Sequence, residues 1–279
     1  MQEFERPQPT GLLPATRELI ATVENQTGLP IEIRQDPNLK SKGRAMYEVS
    51  DPDTSRHLVL VDQDEKRHLD HLVAHEIGHI LQFSEMPADK RKLPVVTRNN
   101  FVTAASGVAS DLARLSQQGF NKDSLNEAVR LWATGLVSQL SDTPTDIAIE
   151  NGIRNNEALC LSQRNSLADN ALVLARSMRA EVKAFTPPRV FLASNAMNYA
   201  LTKSNVSFLK ESWMLRPYRN TEVSRLGDEL LELMDEIDPY NLEGYQKVTD
   251  TWAERLGFDG WYHWQEIDKI RKGDYSNDK

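Results

Sequence analysis

The sequence predicts an α+β fold that is predominantly helical. Three short segments before residue 62 alternate apolar and polar side chains, as β-strands do. These segments are Ile31–Arg34, Ala45–Val49 and His57–Val61. Apolar residues then recur at helical spacing from Leu69 to Phe83, and from about Gly107 onward nearly all of the chain has a helical pattern. Because so small a sheet needs a helix against it, we expect three strands packed on the 69–83 helix, followed by a helical C-terminal half.

Turn and capping residues separate the N-terminal elements. A first helix is expected from Pro14 to about Asn25, and Gly28 is expected to end it. Turns predicted at Asp36-Pro37-Asn38 and Asp51-Pro52-Asp53 separate the strands. A charged turn, Gln63–Arg67, leads into the next helix.

Prolines divide the chain after residue 83. Ser84–Asn100 contains two prolines and a basic run, and it is predicted to be a loop. Asp123–Leu140 is predicted to form a long amphipathic helix, and Thr143 and Pro144 are predicted to begin the next helix as its N-cap and first residue. We expect a first domain at residues 1–158 and a helical region at 159–279, which is either separate or part of the same domain.

The composition is typical of a soluble, acidic, folded protein. The 279 residues are 39% hydrophobic and 27% charged, with a formal net charge of −8. This negative net charge argues against a broad basic surface that would bind nucleic acid. A single cysteine, Cys160, fits a reducing compartment. The N-terminal residues lack the features of a signal peptide, and no apolar run approaches the roughly 18 residues of a membrane span. We therefore expect a cytoplasmic protein with no nucleic-acid or membrane partner.

The most specific pattern is H-E-x-x-H at residues 75–79. On a helix, residues four apart lie on one face, so His75 and His79 point in the same direction. Two neutral imidazoles at this spacing can bind one Zn²⁺ at about 2.0–2.1 Å each. Glu76 occupies the position of the general base in a metalloprotease. The pattern predicts a zinc ion bound by His75 and His79, with Glu76 as the catalytic residue.

Other residues of the same helix have weaker signals. Gly78 is unfavourable inside a helix, which predicts that a neighbouring element packs closely there. His68 and His71 lie on the same face as the motif and are expected to be polar residues near the helix start. His71 is one turn before His75, where it can alternatively support a ligand or contact a substrate.

A catalytic zinc usually has three protein ligands, so the third must come from another element. The residues after His79 do not continue as a metzincin motif. Glu150 is the first choice, because it is an acid flanked by isoleucines on a later helix. Asp146, one turn earlier, is the runner-up, although at a helix start it can instead satisfy backbone N–H groups or hydrogen-bond a ligand histidine. Glu157 is a third candidate.

At this point the sequence resembles a zincin metallopeptidase of the gluzincin type. His-Glu-Ile-Gly-His after a short sheet, with a glutamate on a later helix, is most similar to the ImmA/IrrE family of bacterial metallopeptidases, over roughly residues 15–155. The resemblance implies a zincin-like fold, zinc bound by His75 and His79, Glu76 as base and Glu150 as the matching acidic ligand. A peptidase of this family takes a protein substrate, and some relatives cleave regulatory proteins, but the identity of the substrate does not carry over from the resemblance.

These observations predict a zinc-dependent endopeptidase that cleaves a specific cytosolic protein. The alternatives are a zinc-stabilised sensor or adaptor that binds a partner, and a non-peptidase zinc hydrolase such as a deformylase. The intact Glu76 argues against the sensor, and the position of Cys160 downstream argues against the deformylase. Candidates to stabilise the oxyanion, which the sequence does not rank, are Tyr199, Tyr218, Tyr262 and His263. The oligomeric state is left open.

Overall fold

The computed structural model describes residues 11–39, 41–51 and 54–271. Most of these residues are helical, and the strands form one three-stranded and one two-stranded sheet. A predominantly helical α+β fold is therefore confirmed. By their internal contacts, the residues fall into two compact units. The first holds the chain up to Met86 together with Ala148–Asn170, and the second holds Pro87–Ile147 and the chain from Ala171 onward. The domain boundary expected after residue 158 stays a prediction.

The first unit consists of two helices, three strands and parts of two later helices. Its complete elements are α1 (Pro14–Thr27), β1 (Ile31–Gln35), β2 (Gly43–Asp51), β3 (Thr54–Val61) and α2 (Leu69–Glu85). The end of α5 (Lys122–Ile153) and most of α6 (Cys160–Ala175) complete it.

The three predicted strands form the three-stranded sheet, in the order β1-β3-β2. Strand β1 runs parallel to β3, and β2 runs antiparallel to β3 with Gly43 opposite Val61. Gly28 ends α1 as expected, with a φ of 70° that favours glycine. In the predicted turn at residues 51–53, Pro52 and Asp53 lie outside the described residues.

Helix α2 packs against the sheet, as the sequence predicts. Its buried apolar side chains share a core with those of β1, β3 and α1. Members of this core are Ile20, Val23, Ile31, Ile33, Val59, Val61, Leu72, Val73, Ile77 and Ile80. At the start of α2, the Asp70 carboxylate accepts hydrogen bonds from the Leu13 backbone N–H (2.7 Å) and the Thr16 hydroxyl (2.6 Å). The motif helix is therefore held by both the sheet and α1.

The second unit is mainly helical. Besides the first part of α5 and the end of α6, its elements are β4 (Lys92–Val95), α3 (Arg98–Gly107), α4 (Ala109–Gln117), α7 (Ala180–Phe185), α8 (Pro188–Leu209), α9 (Glu222–Met234), α10 (Leu242–Leu256), β5 (His263–Glu266) and α11 (Ile267–Arg271). Trp261 and Tyr262 belong to the buried core of this unit.

Two sequence predictions in this region are wrong. Thr143 and Pro144 do not begin a helix, because α5 runs without interruption from Lys122 to Ile153. A proline inside a helix removes one backbone hydrogen bond, but Thr143, Thr145 and Ile147 around it are buried. Packing on both sides of Pro144 therefore outweighs the lost bond.

The segment Ser84–Asn100 is not only a loop. It contains strand β4 and the first residues of α3. Strand β4 pairs with β5, and Pro94 lies opposite Trp264. Proline is tolerated in a strand at a sheet edge, and this partner is too distant in sequence to be visible in the local pattern.

Among the described residues, none of the helices combines the length and the apolar character that a membrane crossing requires.

Candidate metal centre

The two motif histidines lie together on α2. The Nε2 atoms of His75 and His79 are 3.2 Å apart. Two nitrogens that bind one zinc at about 2.05 Å with a tetrahedral angle are separated by about 3.3 Å. The histidine pair therefore fits a shared metal ion without rearrangement of either ring.

Glu76 turns toward the sheet and is 8% exposed. Its carboxylate faces the backbone of Gly43, the first residue of β2. A Cβ placed on Gly43 would lie 2.5 Å from Oε1 of Glu76. Because any larger residue would push the carboxylate away, the absence of a side chain at position 43 lets Glu76 occupy this place.

Glu150 reaches His75 from the last turn of α5. Its Oε1 lies 2.8 Å from Nδ1 of His75. A carboxylate only accepts hydrogen bonds, so the imidazole proton of His75 is on Nδ1. The lone pair of Nε2 is then directed toward the His79 side, where a metal would bind. Glu150 thus orients His75 in the way that carboxylates orient metal-binding histidines.

Two further side chains contact the Glu150 carboxylate. Nε2 of His71 lies 2.9 and 3.0 Å from its two oxygens. The Gln163 amide, from α6, donates to Oε2 at 2.7 Å and to the Glu150 backbone carbonyl at 2.8 Å. Burial raises the pKa of Glu150, but the attraction to His71 and His75 when these rings are protonated, together with the hydrogen bonds they donate, outweighs this effect and holds the pKa well below its usual range. Glu150 is therefore an anion at neutral pH.

His71 contributes more directly to the candidate metal centre than the sequence indicates. It is buried, and His71, His75 and Glu150 offer ligand atoms within 4.8 Å of one another. The described residues thus include side-chain groups that can hold a metal ion. The interpretation of His71 as a simple polar residue near the helix start is wrong, because its Nε2 bonds a buried carboxylate.

His68 is the N-cap residue of α2, and it is also buried. Its Nε2 lies 3.0 Å from the carboxylate of Asp169 in α6, and Arg67 pairs with the same carboxylate. This cluster joins the start of α2 to α6. The same helix α6 carries Gln163.

The remaining candidates are distributed over both units. Asp146 lies one turn before Glu150 in α5, within the second unit, and not at a helix start. Glu157 is exposed after the end of α5. The four candidates for oxyanion stabilisation all belong to the second unit, and three of them, Tyr199, Tyr218 and Tyr262, are buried there.

Sequence reasoning missed Gly43 and Gln163 and treated His71 only as an alternative. Position 43 carries no motif, because its role depends on how β2 approaches α2. Gln163 lies in a helix with no periodic signal of its own. The signals that pointed to this network were the spacing of His71, four residues before His75, and the isoleucines that flank Glu150.

Comparison with protein-family models, curated proteins and solved structures finds no match to this chain.

Proposed function

We propose that this protein is a zinc-dependent endopeptidase that cleaves a specific cytosolic protein. The observation that carries the proposal is the 3.2 Å separation of the His75 and His79 Nε2 atoms, with Glu76 next to His75 on the same helix. A buried structural site would not require a carboxylate of this kind beside its ligands. The proposal agrees with the resemblance to zincin metallopeptidases of the ImmA/IrrE type.

Each residue has a distinct role in this proposal. His75 and His79 would hold the metal through Nε2. When bound, zinc would polarise the scissile carbonyl and lower the pKa of a water molecule. Glu76 accepts the proton of the attacking water and then delivers it to the leaving amine. Its position against Gly43 limits its motion, so that it is oriented before the substrate arrives.

The third ligand comes from the α5 turn that holds Asp146 and Glu150. The contacts of Glu150 favour Asp146, which was the alternative in the sequence analysis. Both oxygens of Glu150 already accept hydrogen bonds from His71, His75 or Gln163. Asp146 precedes Glu150 by four residues, and on a helix such residues project from one face. We therefore assign orientation of His75 to Glu150 and the third ligand position to Asp146.

The test compares cellular protein termini in cells that express the active chain and cells that express Glu76→Gln. An amide cannot accept the proton of water at neutral pH, so hydrolysis should be lost while metal binding is retained. We expect new internal termini from one or few proteins with the active chain only. Identical sets of termini, with equal zinc content in both proteins, would exclude the peptidase and favour a zinc-stabilised adaptor.

A further inference from the structure

We propose that Gln163 and His71 are positioning residues that hold Glu150 on Nδ1 of His75. This inference rests on the proposed function in one respect, the use of Nε2 of His75 as a metal ligand. Neither residue belongs to the H-E-x-x-H motif. Both act through Glu150 and need not touch a metal or a substrate.

Gln163 fixes both the backbone and the side chain of Glu150. It is fully buried in α6. Its amide nitrogen donates to the Glu150 carbonyl at 2.8 Å and to the Glu150 carboxylate at 2.7 Å. Because both hydrogens of one amide are used on one residue, the carboxylate cannot rotate without losing a bond. The Glu150 side chain is thereby fixed relative to its own helix.

His71 contacts the carboxylate from α2. Its Nε2 lies 2.9 Å from Oε1 and 3.0 Å from Oε2. Since the carboxylate only accepts, His71 carries its proton on Nε2. Oε1 then accepts hydrogen bonds from His71 and His75, and Oε2 accepts hydrogen bonds from His71 and Gln163. With both oxygens engaged, Glu150 is held as the acceptor of the His75 Nδ1 proton and away from Nε2.

Two atoms of this network are left without partners. Nδ1 of His71 and Oε1 of Gln163 are buried and make no hydrogen bond. Buried polar atoms without partners are costly and uncommon in folded proteins, and those that occur call for an explanation. Apolar side chains would fill these positions without that penalty. The network therefore has a role besides packing, and its geometry assigns that role to Glu150.

The test uses the full-length chain with ¹⁵N-labelled histidine. Long-range ¹H–¹⁵N correlation spectra of the metal-free protein show which nitrogen of each imidazole carries the proton. Wild-type protein should show His75 protonated on Nδ1 alone. Gln163→Met and His71→Phe keep approximate side-chain size but remove the donors, and each should give a mixture of His75 tautomers. Zinc binding, measured by chelator competition, should weaken about 10- to 100-fold in each variant.

Two further variants separate positioning from folding. His71→Gln restores a donor of similar reach and should recover most of the zinc affinity. Ser166→Ala changes another buried residue of α6 that does not bond Glu150, and it should leave the tautomer and the affinity unchanged. Lower thermal stability with a wild-type tautomer and wild-type zinc affinity would overturn the proposal. If Gln163→Met does not fold, the comparison of His71→Phe with His71→Gln still tests whether a donor at position 71 determines the His75 tautomer and the zinc affinity.

The outcome is distinguishable from failure of the proposed function. The tautomer of His75 is read without metal and without a substrate. If the wild-type protein bound no zinc but showed one His75 tautomer that depends on Gln163, the positioning role would stand and the peptidase proposal would fall.

Discussion

Gly43 and Glu76 are in such close approach that no side chain fits between them. A Cβ at position 43 would lie 2.5 Å from Oε1 and 3.1 Å from Cγ and Cδ of Glu76. The edge strand β2 therefore forms one wall around the proposed general base. The motif helix supplies this carboxylate, and the strand determines where it points.

Gly43→Ala should impair hydrolysis without removing the metal. The added methyl group would displace the Glu76 carboxylate. A general base typically increases the reaction rate by about 10²–10⁴-fold, and a misplaced base loses part of this increase. We expect a fall in turnover on the order of 10-fold or more with unchanged zinc content. Gly135→Ala is the matched control, since a Cβ at that position would meet no atom within 4 Å apart from its chain neighbours and the nearby backbone of its own helix. Full turnover in Gly43→Ala would show that the approach does not constrain Glu76.

Gly78→Ala should destabilise the fold although alanine is the better helix former. A Cβ at position 78 would lie 2.8 Å from Cγ2 of Ile149. Overpacking typically costs about 1–3 kcal/mol, against a gain of about 1 kcal/mol in helix propensity. Urea unfolding should therefore show a net loss of stability. Ile149→Leu moves the branch point of this side chain, so the double variant should recover part of the loss. An increase in stability in Gly78→Ala alone would contradict the close packing.

Asp146→Ala and Glu150→Ala should differ in their effect on zinc. Loss of a direct ligand should remove most of the metal, whereas loss of the group that orients His75 should weaken binding by about 10- to 100-fold. We expect the larger effect from Asp146→Ala, because the oxygens of Glu150 are already engaged by other donors. Chelator competition on both purified variants gives the answer. The reverse order would make Glu150 the ligand, as the sequence alone favoured.

Local patterns predicted the first unit well. Alternation identified three strands, and helical spacing identified α2, because each of these elements buries one face against its neighbours. The low helix propensity of Gly78 indicated a close neighbour, which is Ile149. The motif histidines were predictable because their spacing alone brings them together.

Contacts between residues that are far apart in the chain could not be predicted from the sequence. Pro144 is a strong local stop signal, yet burial of its neighbours carries α5 through it. Strand β4 depends on a partner 170 residues later, since Pro94 pairs with Trp264. Gln163 becomes meaningful only once α6 lies beside the end of α5. In each case the deciding interaction is non-local, and no pattern along the chain records it.

The central claim, a zinc ion held by the motif histidines, is tested most directly by the metal content of the purified protein. Elemental analysis should find about one zinc per chain in the wild type and in Glu76→Gln, and little in His75→Ala or His79→Ala. Substoichiometric zinc in the wild type after incubation with excess metal, or full zinc in either histidine variant, would contradict the account.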